Sequence, residues 1–372
     1  MTRALLALLL TFAHFSVDAA TRRRAVQHPS TPTPPAALVT AARQAAEAAL
    51  MAGVPAVQIA VSQGGQIIYS EAFGMTDKAS ATAATPRSVM QIASITKQFT
   101  AAAILRLAER GALTLDDRIE KFVPEFDPRG ATVTLRRLLT HTSGVPRDWV
   151  TPGLDLHVPA TRAQVIKALN GKPFDFAPGK DWSYSNAGYM LLGFAVESIT
   201  GKSFADFVHE EFVLPLGLLD TGVCGTSNLP LPEGYGIVPQ LPLLRMKPLH
   251  PTIGVSSGAI CSTASDLARW AHLIATGYGM LPVSYATMIT PARLENNIVP
   301  FPAYGLGVWV QKQLGHPAVW HGGDIDGFQS FLLYFPDQDV AIAVITNTFP
   351  APEAGNPRLI ALAVAKAALP AP

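Results

Sequence analysis

Apolar and polar positions change their rhythm along the chain. Leu38 to Ala52 is alanine-rich with helical spacing and stops at Gly53, which predicts a helix. Two runs with strand-like alternation follow, Val57–Ser62 and Gln66–Ala72, separated by Gly64-Gly65, the signal of a β-hairpin. From Ser94 to Arg110 the apolar residues Phe99, Ala102, Ile104, Leu105 and Leu107 fall on successive turns and end at Gly111, a helix with a glycine stop. The stretch from Leu115 to Leu216 reads as helices joined by loops: Leu135–Thr140, Arg162–Leu169, Tyr189–Ile199 and Phe204–Phe212. Pro230 to Pro251 has many prolines and little period, so a long surface loop is expected. A helix is expected at Ser265–Ala275. Strands are expected at Gly307–Gln311, Phe328–Phe335 and Val340–Asn347, and a final helix at Pro357–Ala368.

Strands thus cluster at both ends of the chain and helices in the middle. The fold class this predicts is α/β in the broad α+β sense: a central antiparallel β-sheet flanked by helices, with an inserted all-helical domain. The expected boundaries at the N-terminus are a signal peptide at 1–19 and a proline-rich linker at 20–36.

The N-terminus reads as an address. Arg3 precedes an apolar run, Ala4 to Phe15, too short to span a bilayer, and Val17-Asp18-Ala19-Ala20 places small residues for cleavage after Ala19. Arg22-Arg23-Arg24 just beyond opposes translocation, so an uncleaved anchor stays open beside the cleaved signal peptide. Either reading places the protein in the periplasm or outside the cell. No integral membrane span is expected after cleavage, because no run of about 18 uncharged apolar residues occurs.

Composition narrows the partners. Over 372 residues, 28 Lys+Arg against 27 Asp+Glu give a net charge of +1, and 49% of residues are hydrophobic. That excludes a largely disordered chain and leaves no basic patch for nucleic acid. A small-molecule or peptide substrate is the partner expected. The two cysteines, Cys224 and Cys261, are too few for a structural zinc site, and the histidines lack metal-ligand spacing, so no metal and no cofactor is expected. The pair can join as a disulfide in an exported protein or remain two buried thiols.

Three short motifs carry chemistry. Ser94 and Lys97 stand three residues apart on a helical stretch, so Lys97 can take the proton of the Ser94 hydroxyl, provided that burial lowers its pKa. The alternative is a capping serine with a solvated lysine. Tyr184-Ser185-Asn186 offers a phenol to shuttle that proton and an amide to hold a substrate carbonyl; otherwise it is a core-edge tyrosine with an asparagine cap. His321-Gly322-Gly323 lies ahead of the strand at Phe328. Its glycines would let a backbone approach a ligand and the Asp324 N–H complete an oxyanion hole; otherwise it is a turn with a surface histidine. His141 and Ser143 read as a structural turn, and Trp149 and Trp182 as aromatic core, with the lining of a cleft as the alternative.

With its flanks, the sequence resembles the penicillin-recognising serine hydrolases, in their class C β-lactamase-like branch of AmpC-type β-lactamases, D-alanyl-D-alanine carboxypeptidases, D-aminopeptidases and family VIII esterases. The resemblance spans Ala41 to Ala365. It is carried by IASITKQFTAAAILRLAERGALTLDD (Ile92–Asp117), LRRLLTHTSGVP (Leu135–Pro146), APGKDWSYSNAGYMLLG (Ala177–Gly193), LPLGLLDTGV (Leu214–Val223), SSGAICSTASDLARW (Ser256–Trp270) and HGGDIDGFQS (His321–Ser330). It implies a β-lactamase/transpeptidase-like fold, with a sheet domain at 37–111 and 223–372 and a helical insertion domain at 112–222. Ser94 would be the acylated nucleophile, Lys97 its base and Tyr184 a proton shuttle. Asn186 would contact the substrate amide and Lys97. His321 would fill the position that is lysine in AmpC enzymes, and the N–H groups of Ser94 and Asp324 would bind the oxyanion.

Two departures bear on substrate. His321 exchanges a permanent positive charge for a titrating one, which fits peptidase and esterase members better than β-lactamases acting on anionic drugs. Asp324 stands where a small residue is usual, so its carboxylate must point away from the oxyanion. The expectation is a serine hydrolase working through an acyl-enzyme, foremost a D-amino-acid peptidase or esterase. A β-lactamase with weak turnover and a non-hydrolytic binding protein are the alternatives.

Overall fold

The computed structural model describes residues 33–226, 229–238 and 240–370. The expected signal peptide, its cleavage point and most of the linker lie outside these residues.

The described residues form twelve strands: β1 Ala56–Gln63, β2 Gln66–Asp77, β3 Thr82–Ala83, β4 Met90–Gln91, β5 Gly222–Val223, β6 Gly234–Gly236, β7 Leu244–Met246, β8 Ile260–Ser262, β9 Trp309–Val310, β10 Val319–Ile325, β11 Phe328–Phe335 and β12 Val340–Thr346. The α-helices are α1 Ala36–Met51, α2 Thr96–Glu109, α3 Leu135–Leu139, α4 Arg162–Asn170, α5 Asn186–Thr200, α6 Phe204–Val208, α7 Leu214–Leu216, α8 Ala264–Ala275, α9 Pro282–Met288 and α10 Pro357–Ala368. Among the described residues no strand falls between 112 and 221.

Seven strands form one sheet in the order β3-β2-β1-β12-β11-β10-β9. The chain's first and last strands meet at its centre, β1 running antiparallel to β12 from Val57 opposite Thr346 to Gln63 opposite Val340. Period-2 alternation splits β12 between two cores. Ile342 and Val344 pack with Leu38 and Ala42 of α1 and with Ile360 and Val364 of α10. Ala341, Ala343 and Ile345 belong to the opposite core, which contains α2, α5 and α8. Both faces are therefore dry, and every residue of β12 is buried. Antiparallel sheet and covering helices agree with the expected fold class.

The second core seats α2. Its residues from Thr96 to Leu105 are all buried, and Phe99 stacks on Trp270 of α8 with ring centroids 4.0 Å apart. A smaller sheet, β4-β8-β5, leads the chain into α2. There Cys224 and Cys261 are joined as a disulfide.

Four local expectations change. Ser94 lies on a 3-10 turn, Ala93–Ile95, ahead of α2 rather than within it. His321-Gly322-Gly323 sits inside β10 rather than in a turn before β11, because glycines conceal a strand from a propensity reading. The Pro230–Pro251 stretch contains the hairpin β6–β7. The helix expected over Phe204–Phe212 is α6 continued by a π-helical turn, His209–Val213.

Candidate active site

The turn that carries Ser94 is held from both sides. Ala93 has φ of 47°, the left-handed region that costs an L-residue energy and persists only where its surroundings enforce it. Ile92 supplies the enforcement: its N–H donates to the Ile260 carbonyl at 3.0 Å, and its carbonyl accepts from Ser330 Oγ at 2.8 Å. The Ile260 N–H donates to Thr96 Oγ1 at 3.0 Å, and Thr100 Oγ1 donates to the Ser256 carbonyl at 2.6 Å. The polar edge of α2 is thereby laced to residues 256–260.

Lys97 is fully buried, and each proton of its ammonium has a partner. Nζ donates to Ser94 Oγ at 3.2 Å, to Asn186 Oδ1 at 2.8 Å and to the Ser257 carbonyl at 2.7 Å. Burial drives its pKa well below the ordinary lysine range; the Asp148 carboxylate resists that shift and Arg147 adds to it. Asn186 opens α5 behind the cap Ser185, whose Oγ accepts from the Gly188 N–H at 2.8 Å. The Asn186 amide is oriented by its other end, because Nδ2 donates to Asp148 Oδ1 at 2.8 Å.

The Tyr184 ring lies 4.7 Å from Lys97 Nζ and 5.5 Å from the Arg147 guanidinium. Its hydroxyl is buried and has no hydrogen-bond partner among the described residues. Burial pushes the phenol far above its usual range, while the neighbouring Ser94 hydroxyl pulls the other way without closing a full hydrogen bond. Tyr184 is thus a neutral phenol at any working pH.

His321 differs from expectation in its surroundings. It is buried. Its Nδ1–H donates to the Gly322 carbonyl at 2.6 Å, and its Nε2 accepts from the Tyr304 hydroxyl at 3.0 Å. Burial, with the Lys97 charge beside it, lowers its pKa to about 3. The titrating cation expected at this position is a neutral imidazole, turned into an aromatic pocket and absent from the lining of the cleft.

Gly323 lets β10 lie against the Ser94 turn. A β-carbon there would stand 2.2 Å from the Ile92 carbonyl oxygen and 2.4 Å from Ser330 Oγ. The Asp324 carboxylate is drawn aside, as the sequence required, by Gln329 Nε2 donating to Oδ1 at 2.7 Å.

A cavity of about 560 Å³ opens over Ser94 and Asn186. Arg147, Asp148, Trp149, Val150 and Leu156 form one wall, Leu249–Pro251 and Phe349 another, and Asp324–Asp326 lie at its edge. Trp149 faces this space while its Nε1 donates to the Ile253 carbonyl at 3.0 Å, so it is both core and wall. Trp182 is absent from the cavity lining and packs among His141, Tyr304 and Trp309. Asp148 is the residue that sequence reading missed. Its only signal is its place in the loop after Thr-Ser-Gly, where an aspartate resembles any solvated charge. Among the described residues no group of three or more His, Cys, Asp or Glu could hold a metal ion, and no helix is long and apolar enough to cross a membrane.

In chemical terms the site holds a buried amine against a hydroxyl at the floor of an open cavity. The profile of the family described as Beta-lactamase matches residues 43–365. Protein flp of Staphylococcus aureus (strain N315) is 28% identical over 304 residues, covering 79% of this chain and 60% of its own length. Penicillin-binding protein 4* of Bacillus subtilis (strain 168) is 28% identical over 308 residues, 78% of this chain and 67% of its own. The D-stereospecific amidohydrolase from Streptomyces sp. superposes with a TM-score of 0.73 at 26% identity, over 89% of this chain and 98% of that one. The chain thus spans about 60% of the length of the first of these curated relatives.

Proposed function

The chain belongs to the Beta-lactamase family, and on that footing we propose that it is a serine hydrolase forming a covalent acyl-enzyme at Ser94, with D-amino-acid amides or peptides, or short esters, as its substrates. One observation carries the reading: Lys97 Nζ stands 3.2 Å from Ser94 Oγ, wholly buried, beneath a cavity open to solvent. Burial drives the Lys97 pKa well below the ordinary lysine range, which eases loss of an ammonium proton and equips the amine to accept one from Ser94.

Ser94 Oγ attacks the substrate carbonyl carbon, and its proton passes to Lys97 Nζ. The oxyanion is met by the N–H groups of Ser94 and Asp324. Collapse breaks the bond to the amine or alcohol, which leaves with the proton that Lys97 returns through the Tyr184 hydroxyl. Water then attacks the acyl carbonyl carbon, its proton passing through Tyr184 to Lys97; collapse breaks the ester bond to Ser94 Oγ, which takes that proton back from Lys97, and the acid departs. Tyr184 serves as a neutral relay, since burial opposes a phenolate. Asn186, fixed by Asp148, presents its amide to Lys97 and to the substrate.

Two observations favour amide and ester substrates over β-lactams with an anionic carboxylate. The cleft carries Asp148, Asp324 and Asp326 against the single guanidinium of Arg147, which is itself 3.5 Å from Asp148. His321 supplies no charge. The Streptomyces neighbour is a D-stereospecific amidohydrolase, which agrees with this ranking. The Cys224–Cys261 disulfide supports an exported protein, and we place residues 112–222 as the helical insertion beside the cleft.

The test is intact mass after incubation with a penicillin, with Ser94→Ala as control, beside rates on a D-amino-acid amide, an acyl ester and a cephalosporin. A persistent adduct on wild type alone, with amide or ester turnover, supports the proposal. Cephalosporin turnover above the other two would make β-lactamase the better reading. Neither adduct nor turnover would leave a binding protein.

A further inference from the structure

His141 stands behind Tyr184. It follows the C-cap of α3 with φ of 60°, a conformation that glycine adopts freely and a side chain only at a cost. Two hydrogen bonds run from it to the residues on either side of Tyr184. The Ser183 N–H donates to the His141 carbonyl at 3.0 Å, and the Ser185 N–H donates to His141 Nδ1 at 3.1 Å. The imidazole also lies against the Tyr184 ring, centroids 4.3 Å apart. A histidine that merely filled the core would not bracket one residue by backbone, ring nitrogen and ring face together.

The tautomer follows from these contacts. Nδ1 accepts, so the proton is on Nε2, which is buried and has no partner among the described residues. Leaving a buried N–H unpaired costs free energy that a leucine of similar size would not incur. Burial and the charges of Lys97 and Arg147 keep the ring neutral, which preserves Nδ1 as an acceptor.

We propose that His141 is a positioning residue for proton transfer: its carbonyl and Nδ1 hold the backbone at Ser183 and Ser185, and so set where the Tyr184 hydroxyl stands relative to Ser94 and Lys97. The inference rests on the hydrolase reading above. It assigns a task to a residue that touches neither the cavity nor Ser94. Misplacing a proton-transferring group by about 1 Å can cost on the order of 10²-fold in rate, whereas substrate binding in the cleft would be little affected.

The experiment is a double-mutant cycle between His141 and Tyr184 on whichever substrate wild type turns over. His141→Leu removes the acceptor. His141→Asn keeps a side-chain acceptor and tolerates the left-handed backbone, and serves as the second variant should the leucine form fail to fold. Expected for His141→Leu is a kcat about 30-fold lower with KM within about twofold of wild type, and for His141→Asn a kcat restored to within about fivefold. In a Tyr184→Phe background neither change should lower kcat by more than about twofold. Multiplying losses in that background would overturn the inference, as would a wild-type kcat in His141→Leu or an asparagine variant as slow as the leucine one. A wild type that turns over no substrate would instead remove the hydrolase reading, and this inference with it.

Discussion

Gly323 faces the carbonyl of Ile92 so closely that a β-carbon on it would lie 2.2 Å from that oxygen. The obstacle is main chain on the turn that carries Ser94, so it cannot rotate away. Gly323→Ala should push β10 off that turn and separate the Asp324 N–H from Ser94. The expected result is a kcat/KM lower by about 10²-fold, with far-UV circular dichroism unchanged. Undiminished turnover would remove Asp324 from the oxyanion hole.

Lys97 should leave a signature in stability. Unfolded, it binds its proton up to the ordinary lysine range; folded, it releases it at lower pH because burial lowers its pKa. Folding is therefore penalised below about pH 10, and the penalty shrinks as pH rises toward that value. Lys97→Met removes it. The Tm of the variant minus that of wild type should decline steadily between pH 7 and pH 10, while activity is lost by at least about 10³-fold. A pH-independent difference would mean that Lys97 keeps an ordinary pKa.

Asp148 and Arg147 act on Lys97 with opposite signs. Asp148→Asn keeps an acceptor for Asn186 Nδ2 but removes the charge that favours the ammonium, so neutral Lys97 survives to lower pH. The acid limb of the kcat/KM profile should move down. Arg147→Gln should move it up. Pre-steady-state acylation across pH 4–9 reads both, and limbs moving together would refute the assignment of that limb to Lys97.

Much of this was legible in the chain. The long elements announced themselves through periodicity: β11 and α10 begin and end where the pattern placed them. Ser94, Lys97, Tyr184 and Asn186 were legible because their chemistry is local in sequence, and the structure brings all four together. What stayed hidden depends on contacts between distant segments. His321 reads as an exposed titrating group until Tyr304, seventeen residues away, closes over its Nε2. Asp148 reads as surface charge until Asn186 arrives from α5. The strand β10 was obscured by its own glycines, which are there for a close approach and not for sheet propensity.

His321 permits a further test. A lysine there would put a second ammonium near Lys97, in a pocket shut by Tyr304 and Tyr184. His321→Lys should therefore cost at least about 2 kcal/mol of stability and leave cephalosporin turnover no higher than wild type. Faster cephalosporin hydrolysis would show that this position reaches the substrate after all.

The disulfide closes a separation of 37 residues that includes the cleft wall Leu249–Pro251. Loop-closure entropy predicts that Cys224→Ser with Cys261→Ser costs about 3–4 kcal/mol. The same loop carries Ser257, whose carbonyl accepts from Lys97 Nζ, and the wall proposed to hold substrate, so KM should rise and kcat should fall together. Steady-state kinetics of the double serine variant beside wild type would show it, and an unchanged KM would detach the wall from the tie.

The pairing of β1 with β12 also governs the order in which the molecule can be assembled. A ribosome delivers β12 after every other strand described here, yet its place is the middle of the sheet. Until it arrives, β1 and β11 each present a long apolar edge with nothing beside it. A chain cut short near Asp337 would lose the keystone and not the margin, and should end in aggregates rather than in a slightly smaller hydrolase.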